Sequence, residues 1–473
     1  MVSLSQAAQS QANSSPANAS QDFSQPAIAA QMNPVGGLEP DRFEVREAWY
    51  PTHFLEDLDR SQPNAFTLLG EDLVIWWDRT EQTWRAFADQ CPHRLAPLSE
   101  GRIAEDGLLE CPYHGWAFTG SGECDRIPQQ PEGGQAETSR RACVRSYPVT
   151  ERQGLLFVYG GNPDRAAAAA VPVIEPVETD TEGWVWMNVF RDLPYDALTL
   201  LENVLDPSHL PFTHHQSVGN RANASPVELE VLQSDKYGFT GLWAEGPRRG
   251  KLGSQATTFI APSLMWHDLT SKQFGRTITA VYATPIRKGE CRLFARFPFK
   301  FASKFPALAI QYTPTWYSHL GQNAILEDDQ IFLHWQERFL ETQGGGEAFS
   351  KAFYLPTKAD RFVFEYRQWI SQFQADPFPG QPLPPRLDRQ VLLDRYHSHT
   401  EKCSSCRQAL SRIQKLRKGL VVSSAIAIVL TAWQSNLFLA LMTLGLGAVW
   451  YGLGQLERRF YEGRVIPPRN RAK

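Results

Sequence analysis

The sequence has few cysteines, no excess of basic charge and no dinucleotide-binding motif. Seven cysteines among 473 residues are too few for a disulfide-stabilised secreted fold, and their spacing is typical of metal ligands or redox pairs in a reducing compartment. The net charge of −4 argues against nucleic acid as a partner. A Gly-x-Gly-x-x-Gly pattern is absent, so we expect no flavin or nicotinamide site in this chain.

The first 40 residues lack the features of a targeting sequence. Residues 1–31 have no arginine, no basic start and no apolar run, and they are rich in Ser, Gln and Ala. A secretory signal or an organelle transit peptide would need those features, so neither is expected. The composition instead predicts a disordered tail over residues 1–40.

The next part of the chain divides by pattern into two folded segments. Residues 41–160 contain short strand-like runs separated by turns, which predicts a small β-rich domain. Residues 161–182 are rich in Ala and Pro and are interpreted as a connector. Residues 183–385 combine aromatic strands with helical patterns at Ala197–Leu205 and Gln322–Leu340. An antiparallel sheet with a few helices, the α+β class, is the expected fold.

Near its end the chain lacks charged residues from Gly419 to Leu456. This stretch is too long for one membrane span and suits two short ones, with a turn at Trp433–Asn436. We therefore expect a transmembrane hairpin of Gly419–Trp433 and Leu437–Gly454, followed by a tail at residues 457–473. A buried hairpin in a soluble core is the alternative. Basic residues flank both ends, which predicts that both flanks and the preceding domains lie on the cytoplasmic side.

A metal-binding pattern occurs in the stretches CPHRLAPLSEG and CPYHGWAF. It supplies Cys91 and His93 and then, after 17 further residues, Cys111 and His114. Zinc would take two thiolates and two imidazoles in a tetrahedron, whereas a Rieske 2Fe–2S cluster takes two thiolates on one iron and two imidazoles on the other. The His-x-x-x-His spacing common in zinc fingers is absent. The Rieske cluster is therefore the favoured prediction.

A second metal site is predicted in the stretch LLENVLDPSHLPFTHHQ. Asn203, Asp206 and His209 are spaced three apart and would lie close to one helical face. The prolines that follow interrupt the helix, so that His214 can turn back toward the same point. The adjacent His215 is interpreted as a neighbouring or surface residue.

Two histidines need a carboxylate to complete the two-His-one-carboxylate site of non-haem iron oxygenases. The stretch NAILEDDQIFLHWQE offers Asp328 and Asp329 on the second predicted helix. Such a site leaves iron positions open for O2. The spacing alone does not separate the two aspartates.

A Cys-x-x-Cys pair, Cys403 and Cys406, lies in the juxtamembrane segment 386–418. Three interpretations remain open. The cysteines could be incidental on a solvated helix, or they could form a zinc site with His397 and His399. They could also form a redox-active dithiol, because this spacing lowers a thiol pKa.

These motifs together resemble the pheophorbide a oxygenase family of Rieske non-haem iron oxygenases, which includes the lethal-leaf-spot type of cell-death suppressor. The resemblance rests on the two cluster loops, the iron motif, the DRYHSHTEKCSSC stretch and the apolar hairpin. It implies a β-rich Rieske domain followed by a helix-grip catalytic domain with an antiparallel sheet. It also implies that Asp329 is the iron ligand and that Asn203 is a hydrogen-bonding neighbour of the iron.

The same resemblance implies a reaction and its partners. Electrons from ferredoxin or a similar reductase would enter at the cluster and cross to the iron site of the next subunit in a homotrimer. Asp206 would bridge His114 of one subunit to an iron histidine of the other. The substrate would be a chlorophyll-derived chlorin such as pheophorbide a or chlorophyllide a. Because no transit peptide is expected, the predicted location is the thylakoid or plasma membrane of a cyanobacterium.

Two other functions remain open. A membrane redox sensor or electron-transfer component would use the Rieske cluster and the Cys403–Cys406 dithiol, with a vestigial iron site. An oxygenase for another hydrophobic ring substrate would have the same metal sites. The intact set of iron ligands argues against the redox sensor. Only substrate screening distinguishes an oxygenase for another ring from an oxygenase for a chlorin.

Overall fold

The computed structural model describes residues 42–272, 274–434 and 436–470. The predicted tail at residues 1–40 lies outside the described residues. Three small antiparallel sheets come first, with strand orders β1-β11-β10, β2-β3-β4-β9 and β5-β6-β7-β8. Their strands are β1 Trp49–Phe54, β2 Asn64–Leu68, β3 Glu71–Asp78, β4 Thr83–Ala88, β5 Arg102–Ile103, β6 Leu109–Glu110, β7 Ala117–Phe118, β8 Cys124–Arg126, β9 Ser146–Tyr147, β10 Val149–Arg152 and β11 Leu155–Tyr159.

A seven-stranded sheet follows, in the order β12-β18-β17-β16-β15-β14-β13 with antiparallel neighbours throughout. The predicted α+β class with an antiparallel sheet is confirmed. Four of its strands lie in aromatic stretches of the kind that predicted strands, namely GFTGLWAEG, QATTFIAP, RTITAVYATPI and CRLFARFPF. No such stretch was named for β12, β13 or β16. The strands are β12 Val185–Leu193, β13 Leu229–Asp235, β14 Gly238–Trp243, β15 Gln255–Ile260, β16 Leu264–Ser271, β17 Gly275–Arg287 and β18 Glu290–Lys300.

Both helices that the sequence predicted for residues 183–385 are present. The first has the predicted bounds, and the second extends the predicted Gln322–Leu340 by about two turns at its start. The helices are α1 Glu175–Thr179, α2 Ala197–Leu205, α3 Leu210–Thr213, α4 Lys304–Tyr312, α5 Thr315–Thr342, α6 Phe349–Ala352, α7 Arg361–Phe373, α8 Arg389–Leu392, α9 Ser404–Gln434 and α10 Leu437–Tyr461.

The large sheet is covered on both faces, because successive side chains along its strands point to opposite faces and are apolar on both. On β18, Leu293 faces a core with α2 and α7, where Phe362 is fully buried. The next residue, Phe294, faces a second core with β1, β11 and the first turns of α9, including Phe157 and Leu410. Each fully buried side chain of this size contributes roughly 1.5–3 kcal/mol. The β-rich domain and the start of α9 are thereby packed on one face of the seven-stranded sheet.

The apolar C-terminal stretch forms two antiparallel helices, α9 and α10, that are long and apolar enough to cross a membrane. The break between them falls inside the predicted turn, and the Asn436 side chain caps α10 by accepting from the Phe438 amide at 2.8 Å. Apolar side chains such as Val429 and Leu444 are exposed, which argues against a buried core hairpin. α9 begins earlier than the predicted span, because its first turns are part of the soluble core.

Candidate metal centres

The first cluster loop follows β4 and is closed by its own backbone. The Cys91 amide donates to the Ala96 carbonyl at 2.9 Å, and the Leu95 amide donates to the Cys91 carbonyl at 2.8 Å. Leu95 has a φ of 61°, a left-handed conformation that favours glycine. The chain therefore turns back on itself between Cys91 and Ala96, and this turn leaves His93 at the surface.

The second cluster loop, between β6 and β7, repeats this backbone pattern. The Cys111 amide donates to the Trp116 carbonyl at 2.8 Å, and the Gly115 amide donates to the Cys111 carbonyl at 3.2 Å. Gly115 has a φ of 70° and takes the position that Leu95 holds in the first loop. The two loops are therefore copies of one turn, each carrying a cysteine at its base and a histidine near its tip.

The four predicted cluster residues lie side by side on these loops. The thiols of Cys91 and Cys111 are buried, and burial raises the pKa of Cys91 to about 12. The His93 and His114 rings lie nearer the surface with centroids 4.6 Å apart, and Trp116 stacks on His93. A thiol with such a raised pKa becomes a thiolate when a metal replaces its proton. The inner thiols and outer imidazoles suit a cluster whose two irons have different ligands.

The two copies of the turn offer a matched test. A Cβ added at Gly115 would strain a positive φ and lie 3.2 Å from Pro128 Cγ. We expect Gly115→Ala to destabilise the loop by about 1–2 kcal/mol and to lower the cluster content per chain, measured by visible absorption. Leu95→Gly is the control, since it relaxes the same backbone conformation. Full cluster content in Gly115→Ala with a loss in Leu95→Gly would contradict this account.

The predicted iron histidines follow the end of α2, where proline interrupts the helix as the sequence predicted. α2 ends at Leu205, Asp206 is extended with φ −90° and ψ 102°, and Pro207 follows. α3 begins directly after His209, and His214 follows its last residue. His209 Nδ1 lies 2.5 Å from the Asp206 carbonyl oxygen. That contact leaves the Nε2 atom of His209 for another partner.

The structure brings His209 and His214 together with Asp329 of α5. One potential ligand atom from each residue lies within 4.8 Å of the other two. His214 Nε2 is 3.3 Å from Asp329 Oδ2, and the two imidazole centroids are 5.3 Å apart. Burial raises the pKa of the Asp329 carboxyl, although the two histidines act against that rise. The trio can hold one cation between two imidazoles and a carboxylate.

Asp328 lies on the opposite side of the same imidazole. Its Oδ2 is 3.5 Å from His214 Nδ1 and accepts from the Ser217 hydroxyl at 3.0 Å. Arg469, beyond the apolar hairpin, donates to the Asp328 carbonyl at 2.6 Å. The adjacent aspartates therefore differ in position. Asp329 faces both histidines, whereas Asp328 contacts one of them, His214, at the Nδ1 atom that points away from Asp329.

The other predicted residues of this motif lie on the same stretch of chain as His209 and His214. The Asp206 side chain is partly exposed, and its Oδ1 accepts from the Ser208 amide at 2.7 Å and the Ser208 hydroxyl at 2.5 Å. Its Oδ2 lies 3.8 Å from His209 Nδ1. Asn203 is half-buried in the last turn of α2. The Nδ1 atom of His215 accepts a backbone hydrogen bond at 3.2 Å and is not among the three convergent residues.

The Cys-x-x-Cys pair is buried, so the interpretation as incidental cysteines on a solvated helix is wrong. Cys403 and Cys406 are each 1% exposed. His399 lies beside them, but the His397 side chain is exposed and its Nδ1 is 2.5 Å from Asp394 Oδ2. The zinc site predicted from local spacing is therefore wrong at His397.

A histidine far upstream in the sequence, rather than His397, lies beside the two cysteines. His319 of α5 joins His399, Cys403 and Cys406, with one potential ligand atom from each within 4.8 Å of the others. No short spacing in the sequence could have indicated it. The neighbouring Cys406 thiol and burial raise the pKa of Cys403, which is the opposite of the lowered pKa expected for a redox-active pair.

Known protein families match the segments that carry the two cluster loops and Asp329. Residues 48–148 match the family model described as "Rieske [2Fe-2S] domain", and residues 259–347 match the one described as "Pheophorbide a oxygenase". The protein named "Pheophorbide a oxygenase, chloroplastic" of Oryza sativa subsp. japonica is 38% identical over 463 residues, covering 91% of this chain and 86% of its own length. The chain belongs to the pheophorbide a oxygenase family. It is a Rieske non-haem iron oxygenase, and its cofactors are a 2Fe–2S cluster and a mononuclear iron.

Other members and neighbours of the family differ in the substrates that they are named for. "Flavonoid 8-hydroxylase 2, chloroplastic" of Ocimum basilicum is 34% identical and covers 83% of this chain and 79% of its own length. The solved structure "Crystal structure of dicamba monooxygenase bound to dicamba" has a TM-score of 0.57 and 24% identity, covering 70% of this chain and 98% of its own. The latter likeness shows the fold alone.

The residues present fit both family cofactors. At the trio, Asp329 Oδ1 is buried and has no hydrogen-bond partner among the described residues. A buried carboxylate oxygen without a partner is unfavourable, and a metal ion would satisfy it. Two imidazoles and one carboxylate are the donor set of non-haem iron oxygenases. Two thiols and two imidazoles at the loops are the donor set of a Rieske cluster.

A cavity of about 790 Å³ opens beside the iron motif. Its wall includes Ser208 and Leu210, the two neighbours of His209, and on other segments Trp243 and Arg248. Most of its lining residues are apolar. Small-molecule sites typically have volumes of about 300–1,000 Å³, so the cavity is large enough for a substrate. Its wall reaches both sequence neighbours of His209, although His209, His214 and Asp329 are not among its lining residues.

Proposed function

We propose that the chain is a membrane-anchored oxygenase that uses O2 and ferredoxin-supplied electrons to oxygenate a chlorophyll-derived chlorin. The observation that carries the proposal is the buried Asp329 oxygen without a partner, which converges with two imidazoles. A ligand-sized cavity lined by the sequence neighbours of His209 supports it. The proposed ligands are Cys91, His93, Cys111 and His114 for the cluster, and His209, His214 and Asp329 for the iron.

The chain's own residues prepare the iron site by fixing its imidazoles. When bound, the cluster supplies single electrons and the iron supplies activation of dioxygen. The Asp206 carbonyl contacts His209 at Nδ1, and the Asp328 carboxylate lies on the Nδ1 side of His214. His214 then has Nε2 toward Asp329 at 3.3 Å, and His209 keeps Nε2 for the metal, because the groups at Nδ1 select the tautomer and the ring orientation.

The cavity supports a flat, largely apolar substrate with an acidic group. Phe212 and Trp243 in its wall offer apolar aromatic surface. Arg248 at the same wall would pair with the carboxylate of a chlorin that has lost its phytyl chain, whereas Lys358 in that wall is paired with Glu228. Relatives named pheophorbide a oxygenase support the same substrate class.

The test is oxygen uptake by the full chain in detergent, with reduced ferredoxin as the electron source. We expect pheophorbide a or chlorophyllide a to stimulate uptake, and ¹⁸O from ¹⁸O2 to be found in the product by mass spectrometry. A flavone is the matched comparison, because one relative is named as a flavonoid hydroxylase. Oxygenation of the flavone with no reaction of either chlorin would overturn the substrate assignment and leave the enzyme class intact.

The alternative is a membrane redox sensor or electron-transfer component. Such a protein would need the Rieske cluster and the Cys403–Cys406 pair but would have no use for an intact iron trio. It predicts that no chlorin or flavonoid stimulates oxygen uptake. It also predicts that thiol-dependent partner binding survives His209→Ala, whereas the oxygenase loses its substrate-stimulated uptake in that variant.

We further propose a homotrimer in which electrons cross between subunits. Asp206 is partly exposed beside His209, and His114 is partly exposed at the cluster loops, so each has surface available to a neighbouring copy. A carboxylate can hold two imidazoles by hydrogen bonds. Co-expressing Cys91→Ser chains with Asp329→Asn chains should give mixed oligomers that oxygenate substrate although neither variant does so alone. Mixed oligomers with no recovered activity would contradict transfer between subunits.

The apolar hairpin is proposed as the membrane anchor. The exposed apolar side chains of both helices support this. Lys and Arg residues also cluster just before the apolar part of α9 and just after the apolar part of α10. By the positive-inside rule the catalytic domains would lie on the cytoplasmic side. The thylakoid or plasma membrane of a cyanobacterium is the proposed location.

A further inference from the structure

Four buried side chains converge at a second point, away from the proposed iron. His319 comes from α5 and His399 from a one-turn helix at Tyr396–Thr400. Cys403 directly precedes α9, and Cys406 lies in its first turn. The inward ring nitrogens, His319 Nδ1 and His399 Nε2, are 3.2 Å apart. The Cys403 and Cys406 Sγ atoms lie 3.5 and 3.6 Å from His319 Nδ1. Cys406 Sγ is also 3.4 Å from His399 Nε2.

The outward nitrogens of both imidazoles are held by backbone carbonyls of β12. His319 Nε2 lies 2.8 Å from the Asn188 oxygen, and His399 Nδ1 lies 2.7 Å from the Phe190 oxygen. A carbonyl oxygen only accepts hydrogen bonds, so these outward nitrogens carry the ring protons. In neutral rings the two inward nitrogens then present lone pairs to each other. Facing lone pairs at 3.2 Å in a buried site repel, and a cation shared by the two nitrogens and the adjacent thiolates would remove that repulsion.

The spacing of the four atoms is that of ligands around one tetrahedral ion. Zinc binds nitrogen at about 2.0–2.1 Å and sulfur at about 2.3 Å. A tetrahedron with these bonds separates two nitrogens by about 3.3 Å and a nitrogen from a sulfur by about 3.6 Å. The measured separations are 3.2 Å between the nitrogens and 3.4–3.6 Å between nitrogen and sulfur. The arrangement is therefore already preformed for a metal.

We propose that His319, His399, Cys403 and Cys406 bind one structural zinc ion, separate from the cluster and the catalytic iron. Zinc fits because four protein ligands close the coordination sphere and leave no position for water or substrate. Two imidazoles and two thiolates in a tetrahedron are typical of zinc. The backbone carbonyls of Asn188 and Phe190 orient the two rings, as outer groups commonly do at zinc sites.

The proposed zinc joins three parts of the molecule. His319 lies on α5, the helix that also carries Asp329, and the carbonyls behind the histidines belong to β12 of the catalytic sheet. The cysteines stand where the chain enters α9, whose apolar part is the first arm of the hairpin. The ion thereby fastens the base of the proposed membrane anchor to the helix and the sheet of the catalytic domain.

A redox-active dithiol is the competing use of the same cysteines. All seven cysteines are free thiols in the structure. A disulfide would need a sulfur–sulfur distance near 2.05 Å, and closing it would remove both thiolate ligands from the two histidines. A dithiol would need one histidine at most, as the base for its reactive thiol, whereas a zinc site uses all four residues.

The first experiment measures the metal in the wild-type full chain, purified in detergent without oxygen, chelators or added metal. We expect one zinc per chain in addition to iron, by plasma mass spectrometry. Zinc-edge X-ray absorption should give two sulfur and two nitrogen neighbours at about 2.3 and 2.0–2.1 Å. A chain with a full complement of iron and sulfide but without zinc, or with iron at this site, would overturn the proposal.

The second experiment assigns the zinc to these residues. Cys403→Ser and Cys406→Ser should each lose at least half of the bound zinc, while the Rieske signal in electron paramagnetic resonance persists. Cys143→Ser, at an exposed cysteine, and His397→Ala, at the exposed histidine of the same stretch, should both keep it. Full zinc in both cysteine variants would overturn the proposal. If a variant fails to fold, the wild-type X-ray absorption result decides on its own.

Discussion

Asp329→Asn is expected to abolish substrate oxygenation and the binding of mononuclear iron, while the 2Fe–2S cluster stays in place. The amide keeps the shape of the carboxylate but loses the negative charge that balances the ferrous ion. Asp329 is also the only acidic member of the trio of potential ligands. The residual activity should therefore fall below the detection limit of the oxygen-uptake assay.

Asp328→Asn is the matched variant, because it makes the same change one residue earlier on α5. Asp328 reaches the far nitrogen of His214 at 3.5 Å and does not face the cation position. Removal of a group behind a metal ligand typically lowers metal affinity about 10–100-fold. We expect Asp328→Asn to regain most of its activity when ferrous iron is added, whereas Asp329→Asn should not.

Both variants are measured by iron content after desalting, by the Rieske absorption spectrum and by oxygen uptake. His215→Ala is the control, since this histidine is next to His214 in sequence but accepts a backbone hydrogen bond at its Nδ1 atom. Iron loss in Asp328→Asn together with retention in Asp329→Asn would reverse the assignment of the two aspartates. Cluster loss in either variant would indicate general misfolding.

The cluster loops could be predicted from the sequence because their chemistry is local. Cys91 and His93, and likewise Cys111 and His114, lie within one turn of each other, so spacing alone brings each pair together. The repeated backbone pattern of the two loops could not be predicted, because Leu95 occupies a left-handed conformation that its side chain disfavours.

The iron site could be predicted only in part. His209 and His214 are separated by one proline-interrupted turn, and that break is visible in the sequence. The carboxylate comes from a helix more than 100 residues later, and spacing says nothing about which aspartate faces the histidines. The geometry at His214, with one aspartate near each ring nitrogen, separates Asp328 from Asp329.

Long-range buried polar groups were missed altogether. His319 is one case, because it meets the Cys-x-x-Cys pair only after α5 packs beside β12. The other is a buried charge triad of Arg191, Glu327 and Arg395, which no local pattern indicates. In both cases the partners come from distant segments, and burial, which a sequence does not display, is what makes the contacts strong.

The charge triad holds the C-terminal end of α10, and the proposed zinc holds the start of α9. Both attachments are at the base of the hairpin, opposite its turn. Glu327 of α5 accepts from Arg191 of β12 at 2.7 Å and from Arg395 at 2.7 and 2.9 Å. The Arg395 amide donates to the Tyr461 carbonyl, the last residue of α10, at 2.9 Å. The hairpin is thus held to the same helix and the same strand at both of its ends.

Glu327→Gln is expected to lower the free energy of unfolding by about 3–5 kcal/mol, because two buried guanidinium groups lose the carboxylate that they share. The three side chains are 0–3% exposed, so water cannot replace the lost charge. Guanidinium unfolding followed by tryptophan fluorescence measures the change. Glu228→Gln is the control: Glu228 pairs with Lys358, both side chains are more than 70% exposed, and the expected change is about 0.5 kcal/mol or less.

A second variant separates lost charge balance from lost packing. Replacing all three members, as Arg191→Met, Glu327→Leu and Arg395→Met, removes every buried charge of the triad and keeps similar volume. Such replacements of buried ion networks are often neutral or stabilising, so the triple variant should recover at least half of the stability lost in Glu327→Gln. The Arg395 side chain also donates from Nη1 to the Arg459 carbonyl of α10 at 2.5 Å, and the triple variant loses this bond. A triple variant as unstable as Glu327→Gln would mean that this side-chain hydrogen bond, rather than the charge balance, holds the hairpin in place.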